Sequence, residues 1–324
     1  MSSAATGFII IGRNEGDRLI RCFDALPRAH GTVVYVDSGS TDGSLEAAEQ
    51  RNIHVVKLDI EKPFTAGRAR NEGFAALQQL APDTAFVQFI DGDCELAPDW
   101  INTASTFLTA NPKVAVVCGR RRERFPENSI YNRLCDREWN TPIGQTDACG
   151  GDAMMRVDAF TSVDGYTSEL IAGEEPELCE RLRGKGWMIW RIDAAMTLHD
   201  AAILHLRQWW MRGVRSGFGY AQVNAATAAR PKPLYRSELR RAMIWAGALP
   251  ASSIVAFFAF WPLALALLAL YPLQIVRIAQ RTGGGDRWAY ALFMVLAKFP
   301  ELQGALRYWQ RARAGRGSDA ILYK

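Results

Sequence analysis

Two short apolar runs that end in carboxylates constrain this chain most. Thr32-Val33-Val34-Tyr35-Val36 leads into Asp37-Ser38-Gly39-Ser40-Thr41-Asp42, and Ala85-Phe86-Val87-Gln88-Phe89-Ile90 leads into Asp91-Gly92-Asp93. Each run is short and rich in β-branched and aromatic residues, which reads as a buried strand. In an open parallel α/β sheet, ligands bind outside the carboxyl ends of the strands. Both acidic segments are therefore expected on one edge of one sheet. Asp91 and Asp93, a single glycine apart, turn two carboxylates toward one point. Hard divalent cations favour such oxygen donors, and Mg²⁺ typically joins a protein carboxylate to substrate phosphates. Asp-Gly-Asp alone is weak, because both residues are common in turns. Ser40, Thr41 or Asp42 also suits a plain helix cap before Ser44. The weight lies in both segments occurring, each after a strand.

The surrounding pattern supports a layered α/β unit. Residues 7–11 read as a first strand ending at Gly12-Arg13-Asn14-Glu15, and Leu19, Cys22, Phe23 and Leu26 follow at helical spacing. Strands are expected to residue 36, over 54–58 and to residue 91, with helices over 44–51 and 65–80. This alternation predicts a Rossmann-like, mainly parallel sheet with helices on both faces. Further on, a helix is expected over 100–109 and strands over 114–118, 153–157 and 189–192. The run Arg120-Arg121-Arg122-Glu123-Arg124 reads as a solvated face. Gly150-Gly151-Asp152 breaks the chain, and Gly173-Glu174-Glu175-Pro176-Glu177-Leu178 opens a helix with proline and acids in its first turn, where both are favoured.

A net charge of +4 is too small to point to nucleic acid. The six cysteines contain no C-x-x-C pair, which argues against a zinc site and for reduced thiols in a cytosolic setting. The first residues lack the basic region of a signal peptide. The last third changes character, and a catalytic domain over 1–230 followed by a helical region over 231–324 is expected. Residues 242–276 are free of charge for about 35 positions, more than the ~20 needed to span a bilayer. Arg236, Arg240 and Arg241 precede this stretch; Arg277, Arg281 and Arg287 follow it. Arginine on both flanks favours two cytoplasmic ends. A proline-broken hairpin or an interfacial helical platform is expected, on the cytoplasmic face of the inner membrane. A buried helical subdomain or a homo-oligomer interface is the alternative use of the same apolar surface.

With these segments the chain resembles the family 2 glycosyltransferases, inverting nucleotide-sugar enzymes of the GT-A fold. The resemblance covers residues 7–220 and is carried by Arg13-Asn14-Glu15, Val36 to Asp42, Ala69-Arg70-Asn71-Glu72-Gly73, Asp91-Gly92-Asp93 and Gly173 to Leu178. It implies that Asp37 and Ser38 meet the nucleobase, with Arg13, Asn14 or Glu15 holding the nucleoside. Arg68 and Arg70 would line the nucleotide pocket, joined by Asp91 near the ribose, Asp152 and the later Arg212. Asp93 would ligate Mn²⁺ or Mg²⁺, with Asp91 and His199 as further ligands and Asp200 orienting the His199 ring. The metal would neutralise charge on the leaving diphosphate.

Glu174-Glu175 stands where the family usually has Glu-Asp. The resemblance makes Glu175, or else Glu174, the general base for the acceptor hydroxyl. Glu174 and Glu177 are expected to raise the pKa of Glu175 by like-charge repulsion. Arg207-Gln208-Trp209-Trp210-Met211-Arg212 only partly matches the Gln-x-x-Arg-Trp motif of processive synthases. The resemblance implies as partners a nucleotide-sugar donor, with UDP-sugars expected, a lipid-linked or glycan acceptor, and the membrane surface. A sugar nucleotidyltransferase is the rival enzyme class, but Gly12-Arg13-Asn14-Glu15 lacks its glycine- and arginine-rich loop. A catalytically silent scaffold has no use for Asp91, Asp93 and Glu175.

Overall fold

The computed structural model describes residues 5–27 and 31–315. It contains two compact units, the first running to Ala202 and the second starting at Ile203. In the first unit the expected alternation is present: β1 (Thr6–Gly12), α1 (Asp17–Asp24), β2 (Val33–Asp37), α2 (Ser44–Glu49), β3 (His54–Lys57), α3 (Ala66–Leu80) and β4 (Phe86–Asp91). Then come β5 (Cys94–Leu96), α4 (Trp100–Ala110), β6 (Val114–Glu123), α5 (Ile130–Glu138), β7 (Gly144–Thr146), β8 (Ala153–Arg156), α6 (Val157–Ser162), α7 (Glu174–Gly184) and β9 (Met188–His199).

The strands form one sheet in the order β3-β2-β1-β4-β8-β6-β9-β5, with β7 paired to β9. The parallel part is β3-β2-β1-β4; beyond it the sheet is mixed. β8 is antiparallel to both β4 and β6, and β6 is parallel to β9. All of β1, β2, β4, β6 and β9 therefore point their carboxyl ends to one edge. Register finishes the job: Gly12 pairs with Asp37, Ile11 with Asp91, and His199 with both Cys94 and Glu123. Phe8, Ile9, Ile10, Val34, Val36, Phe89 and Ile90 are fully buried, as continuous apolar runs covered on both faces should be. Gly73 lets α3 lie close on the sheet, since a Cβ there would stand 2.6 Å from Ile9 and 2.7 Å from Val36 side-chain atoms.

Two strands run further than their apolar content suggests. β6 continues through the arginine run to Glu123, and β9 continues to His199, because the two pair with each other along most of their length.

The second unit is helical: α8 (Leu206–Ala226), α9 (Arg236–Ala242), a π-helical turn (Met243–Ala248), α10 (Leu249–Ala259), α11 (Trp261–Leu268), α12 (Leu270–Arg281), α13 (Arg287–Leu296) and α14 (Lys298–Arg313). Its composition changes after Arg230, whereas the compact unit already includes α8. α8 and α14 cross at glycines: a Cβ on Gly217 would overlap the Glu301 carbonyl, and one on Gly304 the Val214 carbonyl. Two continuous helices, Arg236–Ala259 and Trp261–Arg281, are long and apolar enough to cross a membrane. At 24 and 21 residues they reach about 36 and 32 Å at 1.5 Å per residue, against a hydrocarbon core of about 30 Å. The break falls at Phe260, with Pro262 in the first turn of α11. Ile254, Val255, Phe257, Phe258, Phe260 and Trp261 are 61–82% exposed on this unit.

Candidate active site

The loops after β1 and β2 are tied together. Asn14 N–H donates to Ser40 Oγ (2.9 Å), Thr41 N–H to Asn14 Oδ1 (2.7 Å) and Gly16 N–H to Asp42 Oδ2 (2.9 Å). Ser38 N–H reaches the Gly12 carbonyl (3.1 Å). Asp37 is buried; it accepts the Tyr35 hydroxyl on Oδ1 (3.0 Å) and the Gly39 and Ser40 amides on Oδ2 (both 2.9 Å). Part of this carboxylate thus folds its own loop. Arg13 lies over the Phe64 ring (5.2 Å), and Glu15 pairs with Arg18 (2.6 Å). Arg68 is buried on α3, bonded to Glu72 and to the carbonyls of Asp59, Lys62 and Pro63, so it clamps the 59–63 loop.

Arg70 organises the next layer. It is 2% exposed and meets Asp91 (2.9 Å), Glu174 (3.0 Å) and Glu175 (3.2 Å). The other oxygen of Asp91 is held by Arg121 (2.9 Å). Burial alone would raise the Asp91 pKa, but these two guanidiniums outweigh it and hold the carboxyl below its ordinary range. Buried Asp152 supports the same point: it accepts the Asp91 amide (3.0 Å) and the Thr197 hydroxyl (2.8 Å), and lies 3.2 Å from Arg121 Nε. Arg121 rests on the Trp139 ring (5.1 Å), which in turn packs edge-on against His199 (4.7 Å).

Asp93 and His199 form the candidate metal pair. His199 Nε2 is 3.2 Å from Asp93 Oδ2, and its buried Nδ1 has no hydrogen-bond partner among the described residues. At this distance the two side chains form a hydrogen-bonded ion pair, and the same two atoms lie close enough to share one cation in its place. Burial would raise Asp93, yet His199, followed by Arg121 and Arg18, holds it well below the carboxylate range. Asp93 is therefore ionised, and His199 gives up its Nε2 proton when it ligates a cation. Cys94 Sγ lies in the same cluster, but burial pushes its thiol up, and a neutral soft donor suits a hard cation poorly. Asp91 is close as well, with both its oxygens on arginines. Asp200 does not reach the His199 ring as a carboxylate partner; it pairs with Arg21 (3.3 Å).

Glu175 has the opposite electrostatics. Burial, then repulsion from Glu174, pushes it up to about 7 despite Arg70. Glu177, expected to add to this, is instead held by Arg181 (2.8 Å) and the Thr167 hydroxyl (2.9 Å). Gly173, with φ of +84°, turns the chain into α7 so that Glu174 and Glu175 face Arg70. Arg212 lies on α8 of the second unit. Arg121, Trp139 and Thr197 carried no sequence signal as site residues. Arg121 was hidden inside the arginine run, and strand alternation through that run was the one available clue.

The profile of Glycosyl transferase family 2 matches residues 8–163. Over 209 residues the chain is 28% identical to the succinoglycan biosynthesis protein ExoA of Rhizobium meliloti, covering 62% of each. Over 189 residues it is 23% identical to glycosyltransferase AglE of Haloferax volcanii, covering 54% of this chain and 60% of that one. The matches thus span about three fifths of these relatives' lengths. A mannosyltransferase from Pyrobaculum calidifontis, solved with GDP-Man and Mn²⁺, superposes with a TM-score of 0.64 at 18% identity, over 93% of this chain and 87% of that one. That likeness is one of fold. The matched profile, the named relatives and the shared sheet all support a glycosyltransferase of the family 2 type with a GT-A fold.

Proposed function

We propose that this glycosyltransferase moves a sugar, with inversion, from a nucleoside diphosphate donor to a hydroxyl of a lipid-linked or polysaccharide acceptor. UDP-sugars head the donor panel. The observation that carries the reading is a pair of carboxylates pushed in opposite directions: Asp93 held ionised beside His199, and Glu175 raised to about 7. Groups whose environments drive their pKa values apart divide the labour of acid–base chemistry. Glu175 takes the proton of the acceptor hydroxyl as that oxygen attacks the anomeric carbon from the face opposite the leaving diphosphate. Arg70 fixes Glu175 and Glu174 in place. Asp93 and His199 would hold Mn²⁺ or Mg²⁺, which supplies charge neutralisation at the diphosphate when bound. The relative named for succinoglycan biosynthesis supports a polysaccharide setting.

The apolar helices support attachment to a bilayer, with the arginines that flank residues 242–276 favouring the cytoplasmic face. A panel of nucleotide sugars with Mn²⁺, scored for donor hydrolysis, tests the activity. Calorimetry of Asp93→Ala tests the metal pair: nucleotide affinity should stop responding to Mn²⁺. A metal response equal to that of the parent would remove Asp93 from this role.

A further inference from the structure

Side chains alternate along β6. Arg121 turns to Asp91 and Asp152, while Arg120, Arg122 and Arg124 line a groove of about 910 Å³. Its other walls come from β9, through Arg191, Asp193 and Leu198, and from residues 140–143. Ligand sites commonly occupy about 300–1,000 Å³, so the groove can take a sugar unit with its substituents.

The charges in it are unevenly matched. Arg120 pairs with Asp136 (2.8 Å), and Arg124 pairs with Glu95. Glu123 is engaged by the Phe125 amide (3.2 Å), the Asn132 side chain (3.1 Å) and the Ala201 amide (3.1 Å). Among the described residues, Arg122 and Arg191 have no carboxylate partner. Arg191 is only 2% exposed; its Nη1 donates to the Ile192 carbonyl (3.0 Å) and its buried Nε has no partner. A buried guanidinium without a counter-ion is costly, and an anion relieves that cost. Arg120 reports the same field: burial, with repulsion from Arg122 and Arg191, holds it below the ordinary arginine range despite Asp136. Asp193, Asn140 and Thr141 add groups able to meet hydroxyls.

The groove also leads somewhere. Leu198 on its wall directly precedes His199, and Asn140 directly follows Trp139, the ring packed on His199. We infer that this groove holds an anionic sugar unit of the acceptor, its carboxylate or phosphate set at Arg191 and Arg122 and its hydroxyls at Asp193, Asn140 and Thr141. The inference rests on the glycosyl-transfer reading for the word acceptor; the anion site itself stands on the groove alone.

Ligand-observed NMR titration of the full-length protein in detergent tests it, with D-glucuronate, glucose 6-phosphate and glucose as probes. At least one anion should bind about tenfold more tightly than glucose, and the tighter of the two identifies carboxylate or phosphate as the preferred group. Arg122→Gln should weaken that anion about tenfold, the scale of one lost charge-assisted hydrogen bond, and Arg122→Lys should recover part of it. Arg191→Gln should do the same; Arg122 is exposed, so its variants keep the test sound if the Arg191 variant misfolds. Anion affinity unchanged in Arg122→Gln, or glucose binding as tightly as both anions, overturns the inference. So does anion binding that is lost in Asp93→Ala and kept in Arg122→Gln, which would place the anion at the donor site. Failure of every nucleotide sugar to be hydrolysed would sink the transfer reading and leave the titration unaffected.

Discussion

The raised Glu175 pKa makes a prediction that an ordinary carboxylate cannot imitate. A general base works only when ionised, so turnover should rise with pH through the folded-state value of about 7. With that value about 9% of Glu175 is ionised at pH 6 and about 91% at pH 8, a rate ratio of about ten. With the unperturbed value of 4.5, about 97% is already ionised at pH 6 and the ratio is close to one. The assay is kcat/KM for the acceptor at saturating Mn²⁺ and donor, between pH 5.5 and 8.5 (roughly spanning the titration), with viscosity controls to confirm that chemistry limits the rate. Glu175→Gln should lower kcat by about 10²–10⁴-fold, keep donor binding and flatten the profile. The same shift acts on stability. The folded state holds the Glu175 proton more tightly than the unfolded chain, so stability falls as pH rises from about 4.5 through about 7, by on the order of 3 kcal/mol. Glu175→Gln should therefore be more stable than the parent at pH 8 and nearly equal to it at pH 5. A flat rate profile between pH 6 and 8 in the parent, with chemistry limiting, would refute the reasoning. A full loss in Glu174→Gln with Glu175→Gln silent would move the base to Glu174.

Two other perturbations follow from the packing. Arg70→Met leaves Asp91, Glu174 and Glu175 without their shared cation, and removing one partner from a buried pair typically costs about 3–5 kcal/mol; thermal denaturation should show a large drop, which Arg70→Lys repairs only in part because an ammonium lacks the fork. Ile254→Asp places a charge on the 62%-exposed apolar face, and at about 2.5–3.5 kcal/mol per charge near a helix centre it should cut partitioning to anionic vesicles on the order of 10²-fold. Unchanged flotation would show that protein, not lipid, covers this face.

Much of the site was legible because its acids follow runs that can only be buried strands. Val33 to Val36 and Phe86 to Ile90 announce where Asp37 and Asp91 stand, and the parallel register then brings them together. The helix opened by Gly173 was equally plain from its proline and acids. What stayed hidden depends on pairing between distant segments. Arg120 to Glu123 looks like a solvated face until β9 lies alongside; then alternate residues turn inward and Arg121 becomes part of the centre. The extension of β9 to His199 is hidden for the same reason, since Ala194 and Ala195 carry little strand signal of their own. Arg70 has the opposite lesson: its motif marked it for the nucleotide pocket, but only the fold reveals three carboxylates around it.

The ties between the β1 and β2 loops bear on how fast and how tightly a nucleoside could be taken up. The amides of Asn14, Gly16, Gly39, Ser40 and Thr41 all donate within the protein. Ordering a loop on capture normally consumes part of the interaction free energy, and a loop already fixed by folding avoids that loss. The two loops therefore act as one preorganised rim whose conformational entropy was surrendered when the sheet formed. Amide hydrogen exchange over residues 14–16 and 39–41 should already be slow before any nucleotide is added, and its arrival should slow it little further.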